Sequence, residues 1–179
     1  MRARLSWLVV VATVAVPAAA QGPRTFEVTK GIVVLHATAG HAVGGTATFT
    51  SSGDAVKVVA DVTGLEPNTT HGFHIHEFGD CSAADAGSAG DHFSPKPAEH
   101  GGPDTPVHHA GDLGNVRADA QGKAHIELTV KDITLSRGDA MILGRSVIVH
   151  EKADDLRTPP SGNAGARLAC GVIGVAKAP

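Results

Sequence analysis

Aromatic side chains are scarce, at 3% of 179 residues: five Phe, one Trp and no Tyr. Set against 22 glycines, that scarcity speaks against a helical bundle and for short strands joined by turns. Helical periodicity is largely missing, as are any internal repeat and any interdomain linker. No basic stripe runs through the chain, whose formal charge is -3, and this excludes a nucleic-acid partner. Only one apolar run is long, near the start, and no second one could span a bilayer. Cysteine is down to two residues. What remains, 42% hydrophobic and 18% charged, suits one globular domain and excludes disorder and coiled coil.

The long apolar run belongs to a leader. Met1-Arg2-Ala3-Arg4 is cationic, Leu5 to Val16 is apolar, and Pro17-Ala18-Ala19-Ala20 ends in an Ala-x-Ala pattern. Residues 1–20 are therefore expected to be a secretory signal peptide, and 21–179 one exported, periplasmic or secreted domain. Ala18 to Thr25 reads as the only flexible tail, and no lipid-attachment cysteine stands near the cleavage site. Loss of Arg2 and Arg4 makes the mature chain more acidic by two charges. In an exported chain, Cys81 and Cys170 are most simply one disulfide.

Short apolar-alternating or β-branched runs recur at Gly31–Thr38, Thr46–Thr50, Val56–Val62, Gly72–His76, Asn115–Ala118, Ala124–Val130, Ser146–His150 and Arg167–Val175. Gly, Pro, Asn and Asp clusters separate most of them, which predicts an all-β sandwich or barrel. Ala118 to Gly122 is expected to be a hairpin turn. Two segments resist strand assignment, Gly79–Gly111 and Lys152–Gly165, and loops of that length are commonly functional.

Those loops carry the chemistry. Of eleven histidines, seven lie between His71 and His109. His74 and His76, two apart on a strand, project from one face and can converge on an ion while Phe73 and Ile75 enter the core. A His-x-His pair alone is a weak signal. His150, at the end of Ser146–His150, adds a third imidazole to a nitrogen-rich site suited to copper. His92, His100, His109 and Asp112 form a harder, zinc-like set.

These words resemble the copper/zinc superoxide dismutase family: Gly72-Phe73-His74-Ile75-His76-Glu77-Phe78-Gly79-Asp80, His92-Phe93-Ser94-Pro95, His100-Gly101-Gly102-Pro103, Gly111-Asp112-Leu113-Gly114-Asn115-Val116, Gly144-Arg145-Ser146 through Asp155, and Gly162-Asn163-Ala164-Gly165 through Gly174. The likeness runs from about Thr46 to Val175. It implies an eight-stranded antiparallel Greek-key barrel with two long functional loops. It implies one copper per subunit, held by His74, His76, His92 and His150, and one zinc, held by His92, His100, His109 and Asp112, with His92 shared. Asp154 would clip His74 to His100, Arg167 would stand beside the copper mouth, and the Cys81–Cys170 bridge would tether the metal loop. His108, the rival of His109, is expected to be an exposed neighbour, His71 to buttress backbone, and His36, His41 and His125 to be ordinary surface or strand histidines.

The implied reaction is disproportionation of the superoxide anion by alternate reduction and reoxidation of copper, with His92 and Arg167 as catalytic residues. Because the chain is acidic, attraction of the anion must be local, from copper, Arg167 and either Lys96 or Arg157. Leu156 to Ser161 is shorter than in many eukaryotic relatives and lacks their acidic and lysine residues. Two other readings exist. A two-zinc hydrolase would want Asp where Phe78 stands, and a metal carrier of the same fold would tend to lack copper ligands or the arginine. Many relatives are homodimers and some bacterial ones are monomers, so a homodimer is one of two expected states.

Overall fold

The computed structural model describes residues 27–177; the expected leader and the Ala18–Thr25 tail lie outside them. Nine strands follow in chain order: β1 Lys30–Ala37, β2 Gly44–Ser52, β3 Ala55–Thr63, β4 Thr70–His76, β5 Asp112–Arg117, β6 Ala124–Val130, β7 Ser146–His150, β8 Arg167–Val172 and β9 Gly174–Val175. One 3₁₀ turn, Gly87–Ala89, is the sole helical element among the described residues.

Alternation dictates the strands. In β1, Val33 and Leu35 are buried while Ile32 and Val34 face outward. Ala47 and Phe49 of β2, Val58, Ala60 and Val62 of β3, Phe73 and Ile75 of β4, and Val147 and Val149 of β7 fill the same interior. Few of these side chains are large, so β-branched residues and alanine pack the barrel where aromatics are missing, each buried Val or Phe contributing about 1.5–3 kcal/mol. The strands run antiparallel in the order β5-β4-β7-β8-β1-β2-β3-β6, with β9 on β1. The chain crosses from β3 to β4 and from β6 to β7, a Greek-key path that leaves β5 and β6 at the two ends of a nearly closed barrel.

Three expectations need correction. Ala118–Gly122 is a turn, with Asp119 Oδ1 accepting the Gln121 and Lys123 amides, but it is not the tip of a hairpin. Its flanking strands β5 and β6 are not ladder partners. The run Arg167–Val175 is two strands. After pairing with β7, the chain turns at Ile173, whose amide donates to the Arg145 carbonyl at 2.8 Å, and continues as β9 against β1. Finally β5 starts at Asp112, three residues earlier than expected, because a register shift between Gly72 and His74 lets His74 pair with Asp112.

Candidate metal centre

Strands β4, β5, β7 and β8 share one sheet, and its outer face is the floor of the site. Phe73 and Ile75 enter the core, so His74 and His76 must project from the opposite face, and burial of all four shows that both faces are covered. β7 delivers His150, β5 delivers Asp112 and β8 delivers Arg167. The cover is the two long loops. Residues 77–111 supply His92, His100 and His109; residues 151–166 supply Asp154. The first loop is pinned back on β4 by an isolated bridge between His76 and His92 and by the amide of Ile75 donating to the Gly111 carbonyl at 2.9 Å. A disulfide joins Cys81 of this loop to Cys170 of β8.

Two groups of ligand-type atoms result, each with all its atoms within 4.8 Å of one another. One holds His74, His76, His92 and His150; the other holds His92, His100, His109 and Asp112. His92 belongs to both.

The hydrogen-bond pattern decides where the ring lone pairs point. His74 Nε2 donates to Asp154 Oδ2 and His100 Nε2 to Asp154 Oδ1, both at 2.8 Å. His76 Nδ1 donates to the Gly90 carbonyl at 3.0 Å, His150 Nδ1 to that of Gly165 at 3.3 Å, and His109 Nε2 to that of Ala98 at 3.1 Å. These oxygens only accept, so in each neutral ring the hydrogen sits on the outer nitrogen and the inner one carries a bare lone pair. His74 Nδ1 and His100 Nδ1 are buried without a hydrogen-bond partner. His76 Nε2 and His150 Nε2 face each other at 3.2 Å, two acceptors with nothing between them to donate. His92 alone turns both nitrogens inward: Nδ1 lies 2.7 Å from Asp112 Oδ1, and Nε2 is buried and partnerless.

Converging lone pairs in a buried site are costly unless a cation sits among them. Burial also holds His74 and His76 well below the usual imidazole range, with the neighbouring His92 and His150 adding to the effect. Burial, then His92, lowers His150 to about 4. Asp112 behaves in the opposite way. Burial favours its neutral form, but the His92 hydrogen bond and charge and the Gly101 amide outweigh it and bring the carboxyl down to about 2. Imidazole nitrogens alone surround one position, and nitrogens with a carboxylate the other. Copper suits the first donor set and zinc the second, so the residues present fit both ions.

Arg167 is tied to this centre through one carbonyl. Its guanidinium donates to Ala86 O and Gly90 O, each at 2.7 Å, and Gly90 O also takes the His76 hydrogen. Burial lowers its pKa, opposed by Asp91 and Asp85.

A family profile described as copper/zinc superoxide dismutase (SODC) matches residues 43–173. The chain belongs to the copper/zinc superoxide dismutase family. It is 44% identical over 145 residues to a Cu-Zn superoxide dismutase of Paramecium bursaria Chlorella virus 1, covering 75% of this chain and 74% of that one. Among solved structures, the crystal structure of the clock protein EA4 superposes with a TM-score of 0.78 at 40% identity, over 87% of this chain and all of that one.

Within this superoxide dismutase scaffold, several parts escaped the sequence reading. Asn115 clamps the Asp154 backbone from β5, its amide nitrogen donating to Asp154 O at 2.9 Å and its oxygen accepting the Asp154 amide at 2.8 Å. Arg145 stacks 3.5 Å from the Phe93 ring centroid and donates to the Glu77 carbonyl at 2.7 Å, bracing the residues next to His92 and His76. Both stand inside the matched words, and only their contacts mark them. His108 is a correction: its side chain is largely buried, not exposed, because Nδ1 donates to the His109 carbonyl at 2.7 Å and Nε2 lies 3.6 Å from Asp132. His71 does hold backbone, with Nδ1 donating to His150 O at 2.8 Å. The all-β fold, with no helices layered on its sheet among the described residues, leaves the two-zinc hydrolase without a scaffold.

Proposed function

We propose that this chain disproportionates superoxide, two anions and two protons giving dioxygen and hydrogen peroxide, with copper held by His74, His76, His92 and His150 and zinc by His92, His100, His109 and Asp112. The supporting observation is the set of buried, partnerless nitrogens His74 Nδ1, His92 Nε2 and His100 Nδ1, aimed into two pockets that share one ring. Copper, when bound, supplies a one-electron couple, and zinc supplies a fixed dication without redox chemistry.

The protein's own groups do the rest. Asp154 fixes the tautomers of His74 and His100 together, so the two pockets are oriented by one carboxylate. Arg167, pinned by two carbonyls, keeps its other N–H groups for a small anion, and its fixed positive charge reaches His76 and His150. His92 has no hydrogen-bond acceptor outside the site, which leaves its Nε2 free to take a proton and hand it to the reduced oxygen.

The disulfide fits an oxidising, non-cytoplasmic setting. Together with the leader, it supports export and a role in removing superoxide outside the cytoplasm. A homodimer is the assembly we favour. Ile32, Val34, Val172 and Val175 are 38%, 50%, 42% and 57% exposed on neighbouring strands, an apolar strip that a second copy can cover.

Metal analysis with a superoxide assay tests the reading. Selective copper removal is expected to abolish activity while zinc stays bound, and copper restores it. Activity persisting in copper-free, zinc-loaded protein would overturn the assignment.

A further inference from the structure

Beside the disulfide, on the outer face of the barrel, runs a groove of about 570 Å³ lined by both cysteines, by Ile32, Val34 and Val172, and by His36. His36 of β1 is the direct register partner of Cys170 of β8. Thr38, two residues on, donates its amide to Leu168 O at 3.0 Å, so pairing alternates down to a hydrogen-bonded His36–Cys170 pair with Cα atoms about 5.5 Å apart. Directly opposed residues on a sheet point to the same side, which puts the imidazole on the side of the sheet that carries the Cys170 side chain.

The two sulfurs have unlike surroundings. Cys170 is 3% exposed and packs with Ala86, Ala89 and Ile148, an apolar cluster that disfavours a thiolate. Cys81 is only partly buried and rides on the loop. When the bridge forms, Cys81 is thus the sulfur an external disulfide reaches, and Cys170 must then be deprotonated in a place that resists it. Among the described residues, His36 is the only other ionisable side chain lining the groove. The carboxylates of the adjoining loop are engaged elsewhere, Asp80 accepting the Ser82 amide and Asp85 that of Gly87. The facing side chain of β8 is Cys170 itself, and β2 offers only Gly44, Gly45 and Thr46 alongside this end of β1.

We propose that His36 is the base that closes the Cys81–Cys170 bridge, with a disulfide-bearing molecule as oxidant. The Cys81 thiolate attacks the oxidant's S–S bond, forming a mixed disulfide and releasing one thiolate. His36 removes the Cys170 proton, and the Cys170 thiolate attacks the Cys81 sulfur, forming the internal bond and expelling the second thiolate. That thiolate takes the proton from His36. The first thiolate takes up from water the proton that Cys81 gave to it, so two electrons pass from the cysteine pair to the oxidant, which leaves as two thiols. The groove shares Ile32, Val34 and Val172 with the strip favoured for a second copy, so closure belongs to the single chain before pairing.

The test starts from metal-loaded protein reduced at its disulfide and diluted until sedimentation shows single chains, with air excluded and glutathione disulfide as oxidant. Bridge closure and the mixed disulfide at Cys81 are followed by mass spectrometry from pH 6 to 9. In His36→Ala and His36→Gln, closure is expected to slow on the order of ten-fold near pH 6.5, with the mixed disulfide accumulating. The deficit should vanish near pH 9, where thiols ionise unaided, and added imidazole should restore the rate at low pH. Equal rates in variants and parent, or a slowing that is the same at every pH and indifferent to imidazole, would overturn the proposal. Circular dichroism on each variant separates either result from misfolding.

Discussion

At Gly162 one added methyl group would fall on Asp154 Oδ1 and press on His100 Nε2, and the backbone there has a φ of +62° that side chains with a Cβ disfavour. The glycine is the space into which the Asp154 carboxylate fits. Gly162→Ala is expected to push that carboxylate off both rings and to weaken metal retention, read as release to a chelator. Asp154→Asn isolates the hydrogen-bond part of the same effect. An amide of equal size can accept from only one ring and must oppose the other with its NH₂, so one tautomer reverses and a lone pair turns away from its pocket. A loss of about 10–100-fold in affinity for the affected ion is expected from chelator competition. The ligand histidines were legible as residue types at spacings. Asn115, Arg145 and the carbonyls of Gly90, Ala98 and Gly165 were not, because a backbone oxygen has no letter and its use depends on how a loop closes.

The loop of residues 151–166 is held by its own hydrogen bonds. Asp155 accepts from the Thr158 hydroxyl at 2.7 Å and amide at 2.8 Å, from the Asn163 side chain at 2.9 Å and from the Arg157 amide at 3.1 Å. The Thr158 contacts, with those of Asn163 and Arg157 and against the opposing effect of burial, hold this carboxyl far below its ordinary 3.8. A depressed folded pKa stabilises the loop fully above the unfolded value, and the contribution is lost as pH falls through the lower, folded one. Amide exchange at Arg157 and Thr158 is therefore expected to be protected evenly from neutral pH to about 4 and to lose protection below, whereas Asp155→Asn should be weakly protected throughout. The other loop depends on its covalent tie. Opening the Cys81–Cys170 bridge, which closes 89 residues, is expected to cost up to about 4–5 kcal/mol and to lower the midpoint of thermal unfolding. Strand positions were readable from alternation, with ends that fall within one to three residues of those found. The largest errors fell where a strand changes partner, at Ile173, or shifts register, at His74, since alternation continues unbroken through both; each end of β2 and the start of β4 were also read two residues short.

For the whole molecule, the balance of charge matters more than any contact. The chain is net negative and its substrate is an anion, so attraction must come from a local field at the mouth. The second-order rate is expected to fall as ionic strength rises, and Arg167→Ala should flatten that dependence as well as lower the rate; stopped-flow decay of superoxide at graded salt reads both. Sedimentation of parent and Val34→Glu tests the apolar strip, a dimer in the first becoming a monomer in the second. Sheet order was not legible. Nothing in eight short runs says that β1 lies between β8 and β2, because that choice is made by long-range pairing.

That placement of β1 has a consequence for biosynthesis. β1 bonds to β8 through His36 and Ala37 and to β9 through Gly31 and Ile32, so one edge of the first described strand waits for the last two strands before it is satisfied. A nascent chain halted anywhere before Arg167 should therefore stay protease-sensitive and threadable through a translocation pore, and only release of the finished polypeptide should confer resistance.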